Sequence, residues 1–239
     1  MLILHLMLGS TLPDMNMNFR LHRLVSGRAG NESLGALTEA ERAAMVVAAS
    51  KKLDELFDVL QIDHRRDHNT RDTPARVARM LVEEMLVGRY TAPPEITEFE
   101  NPTRYDQLIV TGPVEVRSTC AHHLMPIYGE AYIGILPSAD GKIIGLSKYD
   151  RIVEYFSARL QIQEELVNQI GEFISAETKP RGLAVRISAV HMCKTHRGVR
   201  ASHKGRMIST VYFGELRNDG DLKHEFLQEC STLEAGGLP

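Results

Sequence analysis

Apolar positions in the chain change their period four times, and each change marks a different kind of element. Thr38 and Glu41 make a capping-box pattern, and the run that follows to about Leu60 puts Ala44, Val47, Ala48, Leu56 and Leu60 near one helical face. The polar stretch "RRDHNTRD" interrupts it. Thr73 then reads as an N-cap with Pro74 in the first helical position, and Val77, Met80, Leu81 and Met85 form the stripe of a second helix ending near Gly88. "TAPPE" is a stiff linker. From about Gln107 the pattern turns to strands, "QLIVTGPVEVRST" and "YGEAYIGILP", rich in β-branched and aromatic residues. Two helices follow. "LSKYDRIVEYFSARL" opens on a Ser147 cap with Asp150 three residues on, and "QIQEELVNQIGEFISAE" buries Ile162, Leu166, Ile170, Phe173 and Ile174. Strands return as "GLAVRISAVHMC" and "RMISTVYFGEL", before a short helix around "LKHEFLQEC".

This order predicts an α+β fold: a β-β-α-α-β-β antiparallel sheet with helices on one face, preceded by an N-terminal helical extension. The expected boundaries are a disordered arm over 1–37, a helical region over 38–100 and a catalytic domain over 101–239. A chain of 239 residues with 43% apolar content can bury a full core. Its formal charge of −3 gives no global case for nucleic acid or a membrane surface as partner, so any anion site must be local. The opening "MLILHLML" is far short of the ~20 residues of a membrane span and lacks a basic leader, so neither anchor nor export signal is expected. Three widely spaced cysteines, Cys120, Cys193 and Cys230, argue for reduced thiols in a cytoplasmic setting.

The segment "STCAHHLMPIYG" carries one of those cysteines beside two histidines. In an extended segment residues two apart share a face, so His191 and Cys193 continue the Leu183, Val185 and Ile187 side of their strand. Cys120 and His123, spaced C-x-x-H, together with Cys193 make three zinc donors and leave a fourth position open, as a catalytic zinc requires. His122 and His191 then lie beside the activated water, where imidazoles move protons. Spacing alone is equally compatible with a buried cysteine acting as a small hydrophobe and an incidental histidine pair on the surface.

Cations cluster in three places. Lys148 and Arg151 share a face near the start of the Ser147 helix, where cations are unfavourable unless an anion such as a polyphosphate binds there. Arg76 and Arg79 repeat the spacing, and Arg197 and Arg200 follow the second metal motif; for any one of the six, a solvated surface charge is the plain alternative. Gln163 and Glu164, opening the second helix of the pair, offer an amide and a carboxylate to a purine or pterin edge, or serve as ordinary helix-start residues.

Taken together, "RDTPARVARM", "STCAHH", "IGLSKYDRIVEYFSARLQIQEEL" and "AVHMCKTHRGVR" resemble the motifs of the GTP cyclohydrolase I family, in order and spacing, over roughly residues 40–230. The resemblance implies the tunnelling fold and a toroidal homodecamer with sites between subunits. It implies Zn2+ held by Cys120, His123 and Cys193, with His122 and His191 as acid/base groups and Gln163 and Glu164 on the guanine edge. Ser147, Lys148, Arg151, Arg197 and a neighbouring subunit's Arg79, helped by Arg76, would line the triphosphate and ribose end. The implied reaction is hydrolysis of GTP at C8, release of formate, ribose rearrangement and closure to 7,8-dihydroneopterin triphosphate, a first step of folate- or tetrahydropterin-type biosynthesis. Three positions depart from the family pattern: Ala121 replaces a usual Glu, His196 a usual apolar residue, and "ASHKGRM" is more basic than expected. They keep two rivals in view, a tunnelling-fold enzyme for another purine or pterin and a catalytically silent zinc-binding paralogue.

Overall fold

The Thr38 capping box forms as the sequence predicts: the Thr38 hydroxyl accepts from the Glu41 amide while the Glu41 carboxylate accepts from the Thr38 amide, starting helix α1 (Glu39–Val59). The computed structural model of the chain describes residues 30–101, 104–138 and 142–236; the segment 1–29, which includes "MLILHLML", lies outside them. Helix α2 (Thr73–Arg79) runs into a π-helical stretch (Met80–Met85) and a short helix α3 (Val87–Tyr90). Its cap is Asp72 rather than Thr73, which moves Pro74 one place into the helix but keeps it in the first turn, where its missing N–H costs nothing. The loop between α1 and α2 is tied back to α1. His64 is buried with Nε2 2.6 Å from Asp54, and Arg65 bridges Asp54 and Asp58.

The remaining elements are β1 (Glu98–Glu100), β2 (Ile109–Cys120), β3 (Pro126–Leu136), β4 (Lys142–Ile144), α4 (Leu146–Ser157), β5 (Leu160–Gln161), α5 (Gln163–Thr178), β6 (Gly182–His191), α6 (Met192–Thr195), β7 (Met207–Gly214), α7 (Glu215–Asn218) and α8 (Gly220–Glu234). The main sheet runs β5-β2-β3-β6-β7, and β1 pairs with β4 separately. The four long strands are antiparallel, as expected, but β5 joins β2 in parallel through Thr119 and Cys120. The core lies between the sheet and the α4/α5 pair: Val116, Ile127, Ile133, Val185 and Ile187 meet Ile152, Leu166, Ile170 and Ile174. Each fully buried side chain of this size contributes about 1.5–3 kcal/mol.

Four sequence expectations need correction. Helices cover both faces of the sheet, because α8 packs Phe226 and Cys230 on Tyr132 and Ala184 of the opposite face. Residues 30–37 belong to the ordered chain rather than to the arm. Leu34 and Leu37 donate to the Arg89 and Tyr90 carbonyls, and the buried Arg159 guanidinium donates to Asn31 and Gly88 carbonyls while stacking on Tyr155 and Phe156. The Ala44–Leu60 face of α1 is largely uncovered by the described residues: Ala44 is half-buried, but Val47, Ala48, Leu56 and Leu60 are exposed. Finally, α4 is capped by the extended backbone of Gly145, with no side-chain cap, so Ser147 already lies inside the first turn.

Gly88 is the point at which α3 touches α4. A Cβ there would stand 2.0 Å from the Tyr155 carbonyl oxygen and 3.1 Å from that of Ala158, both backbone atoms that cannot rotate away. Gly88→Ala is expected to cost about 1–3 kcal/mol, read as a lower urea midpoint at unchanged slope. An unchanged midpoint would mean that α3 is free to shift.

Candidate active site

The site is built where β2 and β6 end side by side on β3. β2 delivers Cys120, buried, and the chain then turns sharply: the Cys120 amide donates to the Met125 carbonyl at 2.8 Å and the Leu124 amide to the Cys120 carbonyl at 2.9 Å, with Leu124 in the left-handed region. The Ala121 amide donates to the Gln161 carbonyl at 3.0 Å, tethering the turn to β5 and so to the start of α5. His122 and His123 stand exposed on this turn, and His122 Nδ1 lies 3.8 Å from the Cys120 sulfur.

β6 ends at His191, opposite Ile127. The expected extended run through Cys193 is replaced by the helical turn α6, closed by the His196 amide on the Met192 carbonyl. The turn still carries Cys193 close enough to Cys120 for the two thiols to perturb each other. Burial first, and then Cys120, pushes the Cys193 thiol's pKa up, while the Arg197 charge opposes that rise. Burial pushes the His191 imidazole's pKa down; the Glu164 carboxylate opposes this and Lys194 reinforces it. That combination keeps His191 neutral near pH 7, able to accept or pass a proton.

Gln163, the first residue of α5, is fully buried. Its Oε1 lies 2.7 Å from His191 Nε2, and its Nε2 lies 3.1 Å from the Ile187 and Met207 carbonyls and 3.0 Å from Ser209 Oγ. Glu164 beside it is exposed. The structure thus brings together Cys120, Cys193, His122, His191, Gln163, Glu164 and Arg197.

The other predicted residues lie apart. The Ser118 hydroxyl donates to the Ser157 carbonyl at 2.7 Å, so the C-terminal end of α4 sits beside the cysteines. The α4 N-terminus is then about 17 Å away for twelve residues at 1.5 Å each. Exposed Ser147 belongs to that far end, as does Lys148, whose Nζ donates to the Glu95 carbonyl at 2.8 Å, while exposed Arg151 lies midway along α4. Arg76 and Arg79, exposed on α2, pair with acids of their own segment, Asp72 at 3.4 Å and Glu83 at 3.8 Å.

Two thiolate-forming cysteines and a histidine pair on one short turn are a soft N/S donor set suited to zinc, so the chemistry of the residues fits that ion. His123 makes no hydrogen bond to either thiol, and among the described residues no group of three His, Cys, Asp or Glu side chains is arranged to hold a metal. Ser209 was not singled out from the sequence. Its signal was present: it is the polar exception in the inward row Met207, Ser209, Val211, Phe213 of β7.

A family model for GTP cyclohydrolase I matches residues 49–231. A relative from Saccharolobus islandicus named GTP cyclohydrolase 1 is 36% identical over 193 residues, covering 78% of this chain and 91% of its own length. Relatives of the same name from Streptomyces griseus subsp. griseus (36% over 189 residues, 79% and 89% covered) and Maricaulis maris (41% over 160 residues, 66% and 76%) match similarly. The extent of these matches shows that the chain belongs to the GTP cyclohydrolase I family of enzymes.

Proposed function

We propose that the chain hydrolyses GTP at C8, releases C8 as formate and closes the remaining pyrimidine and rearranged ribose to 7,8-dihydroneopterin triphosphate. The observation that carries this reading is the meeting of Cys120, Cys193, His122, His191 and Glu164 at one end of the sheet, a thiol pair beside two imidazoles and a free carboxylate. Two waters enter and one leaves on ring closure, so the net reaction consumes one water.

Cys120, Cys193 and His123 would hold zinc, with His123 turning in from its exposed position. Bound there, zinc supplies Lewis acidity and an activated water. The protein's own task is proton traffic. Cleavage of C8–N9 and then of N7–C8 leaves two nitrogens that must each gain a proton, and His122 and His191 are the groups placed to donate them. Glu164 offers two acceptor oxygens to the guanine N1–H and amino group, which a neutral purine edge without donors cannot satisfy. Gln163, expected beside it on the guanine edge, has its amide nitrogen occupied within the protein, so base recognition falls to the Glu164 carboxylate.

Arg197 follows α6 at the cysteine end and is suited to the triphosphate. Ser147 and Lys148, at the far end of α4, and Arg79 and Arg76 on α2 would reach the same ligand from neighbouring copies of the chain, and Arg151, midway along α4, would join them on the triphosphate. The fold offers the means of assembly. β2 is unpaired along 109–118 on its outer side and β7 along its outer edge among the described residues, and α1 leaves Val47, Leu56, Val59 and Leu60 exposed. This favours a ring, the homodecamer of the tunnelling fold. No helix among the described residues is long and apolar enough to cross a membrane, and the proposed setting is cytoplasmic.

Purified protein is expected to hold about one zinc per subunit, and Cys193→Ser to lose it, since two remaining protein ligands seldom retain a catalytic zinc. Elemental analysis checks this, and full occupancy in the variant would remove Cys193 from the metal site. Given GTP, the protein should release formate and a product that oxidises to a fluorescent pterin, while His122→Ala drops turnover by at least ~10²-fold and keeps its zinc. Zinc-loaded wild type that leaves GTP untouched would favour one of the rival readings. Arg151→Ala should weaken GTP far more than guanosine, with a deficit that shrinks as salt rises. Equal losses for the two ligands would assign Arg151 a structural role.

A further inference from the structure

The hydrogen bonds around Gln163 dictate more than its burial. Its amide nitrogen faces two backbone carbonyls, Ile187 and Met207, each 3.1 Å away. Carbonyl oxygens only accept, so the NH2 group must point at them; a flipped amide would set oxygen against oxygen twice in a fully buried site. Ser209 Oγ, 3.0 Å from the same nitrogen, is a third acceptor that shares one of the nitrogen's two hydrogens, and it stands across the β6–β7 ladder from Ile187. With the nitrogen fixed, Oε1 is the atom that meets His191 Nε2 at 2.7 Å. An amide oxygen only accepts, so Nε2 must carry the hydrogen. Nδ1 is then the ring nitrogen left to carry the lone pair, and it has no hydrogen-bond partner among the described residues.

We infer that Gln163 is a positioning residue that locks His191 in its Nε2–H tautomer and so presents Nδ1 as the acceptor toward the reacting purine or its water, with Ser209 holding the amide in place. This rests on the GTP hydrolysis reading and deepens it. It separates two neighbours on one helix turn. Glu164, exposed and next to His191, is free to touch substrate, whereas Gln163 acts on the reaction only through His191. The sheet contributes both of the backbone acceptors, so the tautomer is set by strand register rather than by any residue of the metal turn.

The lock has a kinetic and a spectroscopic signature. For Gln163→Met, which keeps the length and loses both polar atoms, kcat should fall by ~10²-fold while KM for GTP moves less than ~3-fold, the mark of a misaligned acid/base group rather than a lost substrate contact. Ser209→Ala should lower kcat by ~3–10-fold through a looser amide, and Ser209→Thr, which restores the hydroxyl, should recover it. Solid-state 15N spectra of histidine-labelled, sedimented protein at one fixed pH, with His191→Asn identifying the signal, should show protonated Nε2 in wild type and a loss of that preference in Gln163→Met. A raised KM at unchanged kcat in Gln163→Met would return Gln163 to the guanine edge and overturn the proposal. So would a protonated Nδ1 in wild type, or Ser209→Ala turning over at the wild-type rate. If Gln163→Met does not fold, the Ser209 pair and the wild-type spectrum decide. A wild type that does not consume GTP would sink the hydrolysis reading, and the spectrum would still report whether the tautomer is locked.

Discussion

A single row of the sheet governs the site. Ile127 of β3 is paired on one side with Ser118 of β2 and on the other with His191 of β6. Because β3 runs antiparallel to both neighbours, the strand that ends at Cys120 and the strand that ends at His191 must finish at the same edge of the sheet, although some seventy residues separate them in sequence. Everything chemical follows from that convergence. A slip of one residue in the β3–β6 ladder would turn the His191 side chain to the opposite face, and a slip in either ladder would part the two cysteine turns.

What happens at that edge is a change of environment within a few residues. Below the row the sheet is apolar on its inner face, with Ile133, Val185 and Ile187 fully buried under α4 and α5. At the row itself, polar groups enter and several are bound: the Ser118 hydroxyl to the Ser157 carbonyl, the Gln163 amide to two strands and a histidine, the Ala121 amide to the Gln161 carbonyl. In a low-dielectric setting these bonds hold their members rigidly, since a rotation that breaks one leaves a buried donor or acceptor unmet at a cost of about 1–3 kcal/mol. The start of α5 is held from outside as well. Asn31 of the 30–37 strap donates to Glu165, and Arg159 pins the same strap through the Asn31 carbonyl. The N-terminal extension thereby supports the helix turn that carries Gln163 and Glu164.

One chain gathers the cysteines and histidines at one end of the sheet, and leaves Ser147 and Lys148 at the other end of α4 and Arg76 and Arg79 on α2. Among the described residues the outer edges of β2 and β7 are largely unpaired, and Val47, Leu56, Val59 and Leu60 of α1 are exposed. Under the proposed assembly those surfaces would be covered by neighbouring copies, and the same contacts would bring the cations of one copy toward the cysteines of another.

Much of this was legible in the sequence because it rests on local rules. The Thr38–Glu41 box, the strand alternation and the Leu166–Ile170–Ile174 stripe are set by backbone geometry within a few residues, and they predicted elements that the structure contains. Cys120, His122, His191 and Cys193 stood out in the sequence too, but their spacing alone was equally compatible with a buried thiol and an incidental histidine pair, and only the motifs taken together pointed further. Matters that depend on what lies opposite were not legible. Whether α1 buries its stripe, which face α8 covers, and where the strand before Cys193 gives way to a turn are decided by packing partners distant in sequence. Gln163 shows the division most sharply. Its position at the start of a helix was plain from the sequence alone, but its side chain could be assigned to the protein rather than to a ligand only once tertiary pairing set two carbonyls and Ser209 around its nitrogen, because a buried amide must take the orientation its neighbours can satisfy.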